Sequence, residues 1–340
     1  MRDLIWDRML VPRFRLKKIA PNIGCALLLT AGSAHAEHVW NLLVENDLFT
    51  GSDRHYTSGV MLNYIYGVQD GPRRLRDLGV RFPGIDDEDD IHISFSLGNE
   101  IYTPSDIHAT ALLPDDRPYA GYLYFATGFS TANAKEIETW RVSIGLIGPN
   151  ARGETIQNNV HRVVGSDPAQ GWANQLDNEW IFDVAYEKKW LNRAWTASED
   201  WSVEADFIPR FIGAIGTKHD YVGVGGVFRI GYGLQNDYGP PQIRPSLPLS
   251  QFYDTRVGNS FYLFLGMDGR YVAHNVFLDG NTFRDSHSVD RNDWVGELQT
   301  GFVWNNRRFR MGYTYVIRSR EFKQQDEHDI FGSVTFSLHF

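Results

Sequence analysis

The chain has one cysteine, Cys25, and it falls in an N-terminal segment expected to be removed. What remains offers no disulfide, no thiolate nucleophile and no cysteine-bound metal. After position 37 there is no run of about 20 uncharged apolar residues, which excludes a helical membrane span there. Basic residues are few, 33 Lys and Arg against 42 Asp and Glu for a formal net charge of -9. That balance argues against nucleic acid as a partner, because its binders need a basic face. No Gly-x-Ser-x-Gly elbow occurs after the leader, so a serine hydrolase of the α/β type is excluded. No two histidines have zinc-ligand spacing on a helix, which excludes a zincin.

What the chain does have is 21 Phe, 16 Tyr, 10 Trp and 32 Gly in 340 residues, with a mean hydropathy of -0.35. All-β barrels often reach this length as a single unit. A composition rich in aromatics and glycine yet polar on average suits a barrel whose strands face lipid on one side and water on the other.

Arg2, Arg8, Arg13, Arg15, Lys17 and Lys18 precede the mostly apolar stretch from Ile19 to Gly32, and Ala34-His35-Ala36 follows. This is the order of a secretory signal peptide, residues 1–36, cut before Glu37. The apolar stretch is shorter than the ~18 residues a membrane anchor needs. Cys25 lacks the preceding apolar residues of a lipoprotein box, so no lipidation is expected. Removing six basic and two acidic residues takes the net charge from -9 to -13 over 304 residues.

Residues 37–340 alternate with a period of two. Val334, Phe336, Leu338 and Phe340 oppose Ser333, Thr335, Ser337 and His339, and the chain ends on phenylalanine, a pattern that resembles the assembly signal of bacterial outer-membrane proteins. Phe309, Met311, Tyr313, Tyr315 and Ile317 alternate with Arg310, Gly312, Thr314 and Arg318. Phe261, Leu263, Leu265 and Met267 oppose Ser260, Asp268 and Arg270. A soluble β-sandwich also alternates, but it has little reason to place arginines inside so aromatic a sheet. Twelve strands are expected, near 38–48, 56–67, 91–99, 119–130, 138–148, 178–190, 201–213, 222–233, 259–273, 292–304, 308–318 and 329–340. An even count closes an antiparallel transmembrane barrel with both termini in the periplasm, leaving no unpaired edge in the hydrocarbon. The odd-numbered connections are then extracellular. The tight Asn305-Asn306-Arg307 turn, the acidic run Asp86 to Asp90 and the Pro-rich stretch Gly239 to Pro248 are periplasmic.

One connection is expected to be helical. Ile156, Val160 and Val163/Val164 have helical spacing, and Gly165 supplies a C-terminal stop. Gln157 and His161 fall one turn apart on a shared face. A loop helix has no core of its own, so its apolar stripe must meet the barrel wall or the bilayer.

Polar groups gather at the extracellular rim: Asn46 and Asp47 at the end of strand one, Asp53 to Gly59 opening strand two, Asp116 to Gly121 opening strand four, and Gln157 with His161 in the third outer loop. In a regular strand Asn46 and Asp47 point to opposite faces, so a shared site requires the strand to end or bulge there. Oxygen donors of this kind hold calcium, and a neutral histidine can take a proton from water. Together they can hydrolyse an ester, the cation polarising the carbonyl and the imidazole making hydroxide. The same residues are also compatible with plainer roles: a surface histidine, a solvated rim carboxylate, and an Asp53–Arg54 ion pair.

The sequence is similar to the outer-membrane lipid A 3'-O-deacylase family over essentially all of the mature chain. The resemblance is carried by Glu45-Asn46-Asp47, Asp53-Arg54-His55-Tyr56-Thr57-Ser58-Gly59, Ile101-Tyr102-Thr103-Pro104, Asp116-Arg117-Pro118-Tyr119-Ala120-Gly121-Tyr122, and Ile147-Gly148-Pro149 followed by Gln157-Asn158 and His161. It implies a twelve-stranded barrel with a calcium-dependent site between its wall and the loop helix. The implied reaction is hydrolysis of the ester carrying the 3'-linked acyloxyacyl group of lipid A, by a mechanism resembling secreted phospholipase A2. It also implies His161 as general base, with Gln157, Asn46 and Thr57 in the catalytic site and Asp47 as calcium ligand. The implied partners are lipopolysaccharide and the outer membrane, with the chain acting as a monomer. One departure stands out: a family lysine, plausible for lipid phosphate, should follow Ser105, where this chain has Asp106-Ile107-His108-Ala109. His108 or Arg117 are the available substitutes. The alternatives are a calcium-dependent outer-membrane phospholipase and a non-enzymatic porin or structural barrel.

Overall fold

Sustained two-residue alternation is satisfied by strands with one face toward lipid and the other toward a packed interior. The computed structural model describes residues 38–47, 55–67, 73–85, 90–133, 135–191, 195–198, 203–236, 238–241, 258–306 and 308–339. The expected signal segment, Asp53 and Arg54, the acidic run from 86 to 89, the Pro-rich stretch from 242 onward and terminal Phe340 lie outside the described residues. The strands are β1 His38–Asn46, β2 His55–Gly67, β3 Asp90–Thr103, β4 Ala120–Ala132, β5 Glu136–Ile147, β6 Glu179–Trp190, β7 Trp195–Ser198, β8 Val203–Gly216, β9 His219–Tyr232, β10 Ser260–Asn275, β11 Trp294–Asn305, β12 Phe309–Arg318 and β13 Asp329–His339.

Sequence neighbours pair antiparallel except β6 with β7, and β1 pairs with β13 from Val39↔His339 to Asn46↔Gly332, closing the sheet. β8 pairs with β6 through Asp183–Lys189 and, farther along, with the short β7 at Trp195↔Ala205. β6 and β7 therefore fill one position in succession, and the barrel has the twelve positions expected. The periodic faces also hold: Leu263, Leu265, Met267, Met311 and Phe336 are exposed, whereas Asp268, Arg270, Arg310, Thr314 and Ser337 are buried.

The interior is a lattice of paired charges, the condition under which burial of charge is tolerated. Arg210 Nε donates to Asp268 at 2.6 Å, Arg229 Nε to Asp206 at 2.8 Å, Arg318 Nε to Glu297 at 2.9 Å and Lys218 Nζ to Glu100 at 3.0 Å. At the outer mouth the β10–β11 connection folds inward as a one-turn helix, α3 (Val276–Asp279), capped where the Asn275 side chain accepts from Phe277 N. Phe277 is buried and stacks on Tyr102 with ring centroids 4.0 Å apart. A wide aqueous channel is not what these residues build.

The sequence reading expects one helical connection, and the structure has three α-helices among the described residues: α1 (Arg73–Gly79) on the periplasmic side, α2 (Gly153–Val164) and α3. α1 and α3 are two turns or less, too short for helical periodicity to register. α2 lies where expected, with Gly165 at φ 83° donating its N–H to His161 O at 2.8 Å.

Candidate active site

β1 ends at Asn46, which frees Asp47 from strand geometry and meets the condition set by the sequence. Glu45 is buried inside, where the Tyr56 hydroxyl donates to it. Alternation therefore places Asn46 on the outer face. In register, Asn46 pairs with Ser58, Ser58 with Ile101 and Ile101 with Gly121, a single row across the outer wall of β1 to β4. The register of β2 on β3 shifts between Tyr56 and Ser58. Tyr56 stays inside against Tyr102, and the extra residue, Thr57, is buried with its hydroxyl 2.8 Å from that of Thr103. Thr103 shares the outward parity of Ile101, so the bulge turns Thr57 toward the outer wall.

α2 lies across this wall. A methyl group at Gly121 would come within 2.9 Å of Gly153 Cα, and one at Gly153 within 2.5 Å of the Trp172 ring. The two glycines let the helix start in contact with β4. Ile156 then packs against a cluster formed by Ile101 of β3, Ile107, Tyr119, Ala169 and Trp172. The helix lies over β4 and β3. With a rise of about 1.5 Å per residue, His161 lies roughly 12 Å beyond Gly153. Strands spaced about 4.8 Å apart put β1 roughly 14 Å from β4.

The helix turns its polar side inward. Gly153, Gln157 and His161 are its buried residues, the last two each 2% exposed, while Val160, Val163 and Val164 are exposed, Val163 by 75%. The apolar stripe is therefore split: Ile156 packs on the wall side with the buried polar residues, and the valines are exposed.

His161 Nδ1 lies 2.5 Å from the backbone carbonyl oxygen of Asp167. A carbonyl only accepts, so Nδ1 carries a proton, and in the neutral form of the ring the lone pair is on Nε2. Gln157 Oε1 accepts from Trp172 Nε1 at 2.8 Å, and its Nε2 is buried without a hydrogen-bond partner among the described residues. The structure thus gathers Asn46 and Thr57 on the outer wall at the extracellular end, and puts Gln157 and His161 on the wall-facing side of the helix that crosses it. Asp47, 1% exposed, follows Asn46 at the same end of β1.

Two residues next to this set escape the sequence reading. Thr103 looks like an ordinary strand residue until the bulge brings Thr57 to it. Trp172 gives one signal in retrospect: an indole in a polar loop needs both an apolar seat and a partner for its N–H. Of the proposed substitutes for the family lysine, Arg117 is buried in the mouth, donating to Glu321 at 3.3 Å over the Tyr102 ring. His108 is exposed.

Among the described residues no group of three or more His, Asp or Glu side chains has metal-binding spacing. A cation at this end of β1 would meet one buried carboxylate, Asp47, and neutral oxygens such as those of Asn46 and Thr57. That is hard-oxygen chemistry, suited to calcium and unsuited to zinc.

The family described as outer membrane protein LpxR matches residues 22–340. Among solved structures, LpxR from Salmonella typhimurium is similar with a TM-score of 0.70 and 21% identity, covering 90% of this chain and 100% of that one. The β-domain of the Bordetella autotransporter Brka has 8% identity, coverage of 89% and 98%, and a TM-score of 0.39. The translocator domain of NalP from Neisseria meningitidis has 6% identity, coverage of 92% and 91%, and a TM-score of 0.37. No curated protein sequence matches the chain.

Proposed function

The chain belongs to the LpxR family of outer-membrane proteins, which makes it an outer-membrane lipid A deacylase, and we propose that it hydrolyses the 3'-linked acyloxyacyl ester with water activated by His161. The observation that carries this reading is the hydrogen bond from His161 Nδ1 to the Asp167 carbonyl. It leaves Nε2 as the proton acceptor on a buried helix face, the state a general base requires. His161 Nε2 takes a proton from water as its oxygen attacks the ester carbonyl. The Gln157 amide donates toward the carbonyl oxygen as negative charge develops there, and as the acyl C–O bond breaks the imidazolium returns its proton to the departing sugar oxygen, releasing the sugar hydroxyl and the fatty acid. Asp47, with the oxygens of Asn46 and Thr57, would hold a calcium ion, whose charge stabilises the oxyanion when bound.

The location suits the substrate. Asn46 is one outward position above Val44, which pairs with the exposed Val60, so the polar row begins where the apolar wall ends. An ester near the lipid A headgroup lies at that boundary, and a site on the outer wall receives it from the side. A second reading, a phospholipase of the same chemistry, is favoured by the 106–109 segment, where Ile107 is buried and no lysine stands. Mass analysis of lipid A and phospholipids from cells expressing the protein, with and without a calcium chelator, separates the two. Loss of the 3' acyloxyacyl mass, blocked by chelation, is the expected result. Intact lipid A with lysophospholipid accumulating overturns it.

A further inference from the structure

Resting on the reading above, we infer that Trp172 is the positioning residue that fixes which end of the Gln157 amide faces the substrate. A glutamine amide presents an oxygen or an NH2 depending on its flip, and only the NH2 can donate to a developing oxyanion. The indole N–H is a donor and nothing else, so its 2.8 Å bond must be to Oε1. That bond leaves Nε2 at the opposite end of the amide, where it is buried and makes no hydrogen bond to any of the described residues.

The indole is itself held. It is 2% exposed, its ring lies 5.0 Å from that of Tyr119, and it is seated on Ile101 and Ile107. The absence of a side chain on Gly153 lets the ring reach the helix one turn below Gln157. Trp172 therefore sits under α2 in one orientation, its N–H aimed at position 157. A buried amide with one end tied and the other left over is a costly arrangement for stability alone. As a preorganised donor it has a use, because it needs no rearrangement when charge develops.

The test is a double-mutant cycle on the full-length barrel in membranes, reading initial rates against lipid A concentration. Trp172→Phe keeps the ring and removes the donor. Loss of one hydrogen bond permits the amide to flip and should lower kcat by roughly three- to tenfold, with KM within about twofold. Gln157→Ala should lower kcat by about 10²-fold or more. Adding Trp172→Phe to Gln157→Ala should then change kcat no further, because the residue acts through the amide that is gone. Independent, multiplying losses in the double variant, or a loss confined to KM, overturn the positioning role and assign Trp172 to packing. Near-normal turnover in Gln157→Ala instead overturns the role of Gln157 in the proposed mechanism. Heat-modifiable migration of each variant establishes that the barrel has formed.

Discussion

His161 gives its Nδ1 proton to the carbonyl of Asp167, six residues farther along, at 2.5 Å. The bond spans the end of α2, where the N–H groups of Gly165 and Ser166 both return to the His161 carbonyl. The turn that stops the helix thus also sets the tautomer of its histidine. His161→Ala is expected to leave a folded, heat-modifiable barrel whose lipid A deacylation is lowered by at least about 10²-fold, the usual scale for a lost acid-base group. Rates near wild type would remove the imidazole from the reaction.

The contact of Gly121 with Gly153 makes a second expectation. Gly121→Val places side-chain carbons into a space that ends 2.9 Å away at Gly153 Cα, so α2 must shift outward while the β3–β4 pairing persists. A displacement of about 1 Å can cost about 10²-fold in rate. The variant should assemble normally and lose most of its activity; full activity would mean that the seating of α2 is irrelevant to the site.

Asp47 is the one carboxylate among the proposed calcium donors. Removing a charged ligand weakens calcium sites by decades, so Asp47→Asn should raise the half-saturating free calcium by at least about tenfold, measured as deacylation rate in calcium-buffered vesicles. An unchanged calcium profile assigns the ion to other residues.

The valine stripe can be located directly, because residues 37–340 contain no cysteine. A nitroxide attached to Val163→Cys in outer-membrane vesicles should be more accessible to dissolved oxygen than to a water-soluble nickel chelate. The reverse order would put the outer side of α2 in water and rule out a lipid-facing helix.

The sequence alone settled what depended on local pattern. Period-two alternation through segments such as Phe309–Arg318 marked the strands and their faces, since every second residue of a strand must share a side. The spacing of Ile156, Val160 and Val164 with the stop at Gly165 marked α2. Resemblance to a family supplied Asn46, Asp47, Thr57, Gln157 and His161. The resemblance placed the site between the wall and α2, whereas helical spacing left the apolar stripe open to the wall or the bilayer. The structure buries Gln157 and His161, packs Ile156 against the cluster that contains Ile101, and leaves Val160, Val163 and Val164 exposed. The reason lies in the partners on that side: Trp172 Nε1 and the Asp167 carbonyl satisfy Gln157 Oε1 and His161 Nδ1 there, and a buried polar group needs such a partner. The bulge that frees Thr57, the cork made by Phe277 and the hold of Trp172 on Gln157 were likewise decided by contacts between residues far apart in the chain. No local pattern could encode them.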